Sequence, residues 1–165
     1  MAKNPLQSLA LAAYDETESL LATLRACEAV AELVTAAGKR QAVATANGIG
    51  ALLSLHADAL DRRLSAINTT RGAIAQLIQE QLPGGSRAGA AVFHAGECID
   101  NATEALHALE SVALLAPLLD AIHSDGLGEA VRVVVGAMQE QADAMAKALE
   151  ELRTSLDKEL SGAAA

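Results

Sequence analysis

The sequence predicts an all-α fold: a four-helix bundle of two repeated, antiparallel αα-hairpins, with a dimer as the expected assembly. Three observations predict it. Hydrophobic residues make up 52% of the 165 residues but aromatics only 1%. The chain therefore draws on Ala and Leu, the best helix formers, and not on the β-branched and aromatic residues of strands. Long stretches carry apolar residues at alternating spacings of three and four, the heptad seam of knobs-into-holes packing. Asn, Asp, Gly and Pro fall between these stretches, where helices start and stop.

Asn4-Pro5 opens the chain's first helical stretch, since Asn caps and Pro suits the first helical position. A short helix is expected over residues 5–13. Asp15 is a second N-cap, with Glu16 and Glu18 near the positive end of the helix dipole. The helix it starts runs to about Ala37, and Gly38 supplies the left-handed residue that ends it. Lys39 and Arg40 sit at the turn. The next helix starts near Gln41, with the seam Val43, Ala46, Gly50, Leu53, Ala57, Leu60, Leu64, Ile67. Its small residues imply a close partner helix. Ile74 and Ile78 extend the pattern to Leu82, across a kink expected near Gly72.

The stretch from Pro83 to Gly89 reads as a linker. It is no P-loop, because no Gly-Lys-Ser/Thr follows at the right distance. Val92 and Phe93 precede a start at Ile99-Asp100 that mirrors Tyr14-Asp15. The third long helix is expected from about Asp100 to His123, kinked at Pro117, where a helix hydrogen bond is lost. Ser124-Asp125-Gly126 is a turn. The last helix runs from about Leu127 to Leu160, with the seam Val131, Val135, Met138, Ala142, Met145, Leu149, Leu152, Leu156. The tail from Ser161 to Ala165 is expected to fray.

An 85-residue shift superimposes the two halves without a gap: Asp15 on Asp100, Leu21 on Leu106, Ala57-Asp58-Ala59 on Ala142-Asp143-Ala144. Residues 1–82 thus form the first hairpin with its extensions, 83–92 the linker and 93–165 the second hairpin. Neither hairpin can bury its apolar face alone, so both join in one bundle domain.

Phe93, Ile99-Asp100, Leu106 and Glu110-Ser111 resemble a family of small uncharacterised helical-hairpin proteins found mainly in pseudomonads. The first half is similar to it through Asp15, the run from Thr17 to Ala22, and Gly38-Lys39-Arg40 at the turn. The resemblance implies two tandem copies, over roughly 14–68 and 93–153, and a bacterial origin. The second copy departs from the pattern, with Asp125-Gly126 where basic residues are expected. The family brings no activity to carry over.

Charge narrows the partners. Twelve Lys and Arg against 21 Asp and Glu give a net charge of -9. With no basic run and no aromatic platform, nucleic acid is not an expected partner. Anionic membranes would repel the chain too. Cys27 and Cys98 are too few for a disulfide framework. With no signal-peptide layout after Met1, they predict a reduced, cytoplasmic protein. The mean hydropathy of +0.25 suggests apolar surface hidden in an oligomer.

No constellation predicts chemistry. Glu104 and His107 form one Glu-x-x-His motif of the kind that carboxylate bundles use, and Asp120 with His123 a looser second. They share a helix 16 residues apart, hence point about 160° apart at 100° per residue. Solvated acids and histidines are the reading, and no metal or cofactor is expected. His56 and Asp58 flank seam residue Ala57 as a solvated helix flank. Cys27 takes a seam position as a small hydrophobe. Cys98, just before the expected third helix, is placed where a helix N-terminus would lower its pKa.

The surplus is apolar. Leu114, Leu115, Leu118 and Leu119 cluster beside Pro117, more than one bundle face needs. These five are the expected partner-binding residues of a non-catalytic interaction or regulatory module. Its partners would be itself, as a homodimer, and another protein. Two other readings remain: an amphipathic, phasin-like coat on a lipid or polymer surface, and a metal- or cofactor-binding bundle centred on Glu104 and His107.

Overall fold

The seams fold into four helices. The computed structural model describes residues 5–39, 46–81, 86–119 and 124–162, with backbone alone at a few helix ends that include 117–119. The helices are α1 (Pro5–Lys39), α2 (Ala46–Gln81), α3 (Arg87–Leu119) and α4 (Ser124–Gly162). They are packed as a square. α1 lies beside α2 and α4, and α3 beside α2 and α4, while among the described residues the backbones of the diagonal pairs α1/α3 and α2/α4 do not approach closely.

Neighbours run antiparallel. At one end Gln7 Nε2 donates to Asp157 Oδ1 at 2.7 Å, so the start of α1 lies beside the end of α4. At the other end Thr35 of α1 crowds Gly128 of α4. Arg63 Nε donates to Thr23 Oγ1 at 3.2 Å and sets the level of α1 against α2.

Each helix contributes one heptad stripe to a single core. On α2 the buried stripe is Leu53, Ala57, Leu60, Leu64, Ile67, Ile74 and Ile78, the seam read from sequence together with its extension. On α4 every residue of the expected seam is buried. α1 buries Leu6, Ala10, Ala13, Thr17, Leu20, Leu24, Cys27, Ala31 and Val34. α3 buries Ala88, Val92, Ala95, Ile99, Ala102, Leu106, Leu109, Ala113 and Ala116. Much of the α1 and α3 stripes is alanine, facing the larger Leu, Ile and Met of α2 and α4.

Several expected boundaries differ. Gly38, expected to end the first helix, lies inside α1, and Ser124-Asp125-Gly126, expected as a turn, open α4. Asp15 and Asp100 cap nothing; both are exposed residues inside continuous helices. The stripes explain this, because Leu6, Ala10 and Ala13 before Asp15, and Ala88, Val92 and Ala95 before Asp100, are core. Burial of an apolar stripe outweighs a local capping preference. Residues 87–92 of the expected linker are therefore helical. The start of α3 is set by Ser86, whose Oγ accepts from Gly89 N–H at 3.0 Å while its carbonyl accepts from Ala90 N–H at 3.2 Å. The expected start near Gln41, the seam residue Val43, and residues 83–85 of the expected linker lie outside the described residues.

Burial also gives two registers between the halves. An offset of 85 carries the α2 stripe from Leu53 to Ile67 onto Met138 to Leu152, all buried. The same offset carries Leu20 and Cys27 onto Ala105 and Val112, which are only half-buried. An offset of 82 carries all nine α1 stripe residues onto the nine of α3. Burial thus follows the 85-residue offset on the second helices, whereas on the first helices it matches the 82-residue offset at every stripe position and the 85-residue offset at most of them.

Candidate functional site

Outside the stripes, large apolar side chains are exposed unevenly. Leu114 is 76% and Leu115 51% exposed, one turn before the end of α3. Both flank buried Ala113 and Ala116. Of the other expected partner-binding residues, Pro117, Leu118 and Leu119 continue the α3 backbone, and their side chains lie outside the described residues.

Sequence reading missed four more: Leu33, Leu52, Leu55 and Val133, the first 70% and the third 63% exposed. The late turns of α1 and α3 and the early turns of α2 and α4 share one end of an antiparallel bundle. All six residues therefore lie in the half where α1 and α3 end and α2 and α4 begin. Phe93 and Leu11 are exposed in the opposite half. The signal for the missed residues was available, since each lies off its own helix's heptad seam.

Of these, Leu55 lines a groove between α1 and α2, and Leu33 and Leu52 lie on the helix rows that continue its walls. A surface hollow of about 440 Å³ between α1 and α2 is lined by Ser19, Ala22, Thr23, Ala26, Leu55, His56, Ala59 and Arg63. Seven residues return a helix to nearly the same face. Leu33 thus continues the row of Ala26, and Leu52 that of Ala59. With Thr23 level with Arg63, ten residues along α1 and ten back along α2 bring Leu33 level with Leu53 and beside Leu52. The groove wall carries charge only toward its far end, where Arg63 Nη1 pairs with Glu16 Oε2 at 3.2 Å. His56 Nδ1 donates to the Leu52 carbonyl at 2.8 Å, so its ring is tied to its own helix. Asp58 and its counterpart Asp143 are both exposed.

A second hollow of about 610 Å³ lies between α3 and α4, lined by Arg87, His94, Glu150, Glu151, Lys158 and smaller residues. Its charges are mixed and partly consumed internally. His94 Nδ1 pairs with Glu97 at 3.4 Å and Arg153 with Glu150 at 2.9 Å. Glu104 and His107 are exposed on α3, and His123 lies outside the described residues. Among the described residues no group of three or more His, Cys, Asp or Glu is placed to hold a metal ion.

Both cysteines are buried and unpaired with each other. Burial pushes the Cys27 thiol up to about 11, its own backbone contact offsetting a little. The expectation for Cys98 is overturned: its thiol is raised, first by burial and then by the Glu97 carboxylate. It sits well inside α3, not before a helix start, so no helix terminus is near to favour a thiolate. Among the described residues no helix is long and apolar enough to cross a membrane. No family model, curated protein or solved structure matches the chain.

Proposed function

We propose that the chain is a non-catalytic helical interaction module. It self-associates, and it docks another protein at the end of α3 around Leu114 and Leu115. The observation that carries this reading is the gathering of exposed leucines and a valine in one half of the bundle. Single exposed leucines are ordinary. A concentration of them on one end is the mark of a docking surface.

Site-specific photo-crosslinking in cells tests the reading. A photoreactive residue in place of Leu115 is expected to give a discrete heterologous adduct, and one in place of Glu104 none. Leu114→Asp, which adds charge to an already exposed position, is expected to keep the helical signal and lose the adduct. No adduct from the Leu115 position, or equal adducts from both positions, overturns the reading.

A further inference from the structure

We propose that the hollow between α3 and α4 binds a phosphoryl dianion, held between Arg87 and Lys158. The inference goes beyond the interaction-module reading and does not depend on it. In a chain of net charge -9, a cation normally has an acid nearby. Among the Lys and Arg whose side chains are described, Arg25, Arg62, Arg132, Lys147 and Arg153 each have an acid three or four residues away on their own helix. Arg63 reaches Glu16 on α1, and Arg71 is held by Asn68. Arg87 and Lys158 have no acid at those positions and, among the described residues, no ion pair or hydrogen bond. Yet both line the same hollow, of about 610 Å³.

The helix register brings the two cations to one end of the hollow. Asn101 Nδ2 donates to Gln141 Oε1 at 3.3 Å, which sets the level of α3 against α4. Fourteen residues back along α3 and fourteen on along α4 bring Arg87 level with Ser155, with Lys158 nearly one turn further out. Two like charges facing each other across a hollow repel. A multivalent anion between them replaces that repulsion with attraction on both sides. Arg87 is also the first residue of α3, so the positive end of that helix adds to the field. Ser155, half-buried on the wall, carries a hydroxyl that makes no hydrogen bond among the described residues. The acids of the hollow are engaged further in. Glu150 is paired with Arg153, and Glu151 lies a turn inward, level with Ala91 and four residues from Lys147. The donors thus come from two helices, in different directions, and carry two charges. A planar carboxylate matches neither property. A phosphoryl group, with about two negative charges and three acceptor oxygens, matches both. The small side chains of Ala90 and Ala91 leave room beside it for the body of a phosphate monoester.

Amide NMR titrations of the full chain at fixed ionic strength, with inorganic phosphate and separately with glycerol phosphate, test this. Saturable shifts are expected at Arg87, Ala88 and Ser155 with both. Tighter binding of the monoester, with shifts spreading to Ala91 and His94, assigns the ester as the ligand, and equal affinity assigns free phosphate. Arg87→Gln and Lys158→Gln should each weaken binding about tenfold, the loss of one charge-assisted contact. Lys147→Gln, on the same helix but flanked by acids, should leave binding unchanged. Without phosphate, Arg87→Glu should raise Tm, because the new carboxylate faces Lys158, and should raise it less in a Lys158→Gln background. Shifts that do not saturate, that chloride reproduces, or that persist at full strength in both glutamine variants overturn the site. An equal gain from Arg87→Glu in both backgrounds shows that the two side chains do not sense each other and overturns it as well.

Discussion

The guanidinium of Arg71 lies over Gly96, where a methyl group would sit 3.2 Å from Nη1. Arg71 occupies the heptad slot between Ile67 and Ile74, the one charged residue in the α2 stripe. Its Nε and Nη2 both donate to Asn68 Oδ1, at 3.1 and 2.9 Å, which holds the head toward α3 and the rim. Leu156 takes the corresponding slot on α4 and is buried.

Arg71→Leu should therefore stabilise the bundle, by about 1 kcal/mol, as an apolar side chain completes the stripe. Gly96→Ala alone should be close to neutral. Its gain in helix propensity, roughly 1 kcal/mol, is offset by crowding a flexible arginine tip. In the double variant that gain should appear in full. Urea denaturation of the four proteins in this cycle gives the coupling, and purely additive effects would refute the contact.

Gly128 should behave in the opposite way. A Cβ there would overlap Thr35 Oγ1 and lie 3.1 Å from the Ala31 carbonyl oxygen. Gly128→Ala should cost about 1–3 kcal/mol through overpacking. Gly72 and Gly136 have nothing within 4 Å of the same position. Alanine at either should stabilise by roughly 0.5–1 kcal/mol. Thermal melts of the three single variants decide it: equal shifts at all three sites would mean that α1 and α4 are not this close.

Ser86→Ala should cost about 1 kcal/mol by removing the cap on α3, whereas Ser86→Asp should preserve it. Amide exchange at Gly89 and Ala90 gives the local readout. It should quicken in the alanine variant and stay slow in the aspartate one.

How much of this was legible beforehand follows from what each signal measures. The α2 and α4 seams were readable because large Leu, Ile and Met side chains stand out against polar neighbours at heptad spacing. The α1 and α3 stripes were harder, since their alanines recur off the stripe as often as on it. Asp15 and Asp100 carried a capping signal that is real for an isolated helix. It was overridden by Leu6, Val92 and their neighbours, whose burial depends on tertiary contacts that a local reading does not include. Leu114 and Leu115 were found as a surplus of leucine in a row. Leu33, between Glu32 and Val34, and Leu55, between Ser54 and His56, carry no such run, and only the pairing of α1 with α2 puts their rows on one side of the bundle.

Alkaline conditions should unfold the chain through its thiols. The unfolded Cys27 thiol ionises near 9.0, whereas burial makes the folded one hold its proton to about 11. Between those values the unfolded state binds fewer protons, so stability falls as pH rises. Below pH 9 the contribution is complete. Cys98 adds to it in the same direction. Urea midpoints from pH 8 to 11 should decline less in Cys27→Ala than in the wild type, and an equal decline would show that burial of this thiol is not sensed. Native protein should also resist a thiol reagent at pH 8 until denaturant is added.

The square arrangement makes the bundle a closed ring of four helix pairs, in which α1 and α4 adjoin as the hairpin partners do. Gln7 and Asp157 bring the ring's two ends together, at the end of the bundle where α2 stops and α3 begins. The order in which the helices are strung is then separable from the way they pack. A circular permutant, joined by a short flexible bridge between α4 and α1 and opened within residues 82–85, keeps every neighbouring pair.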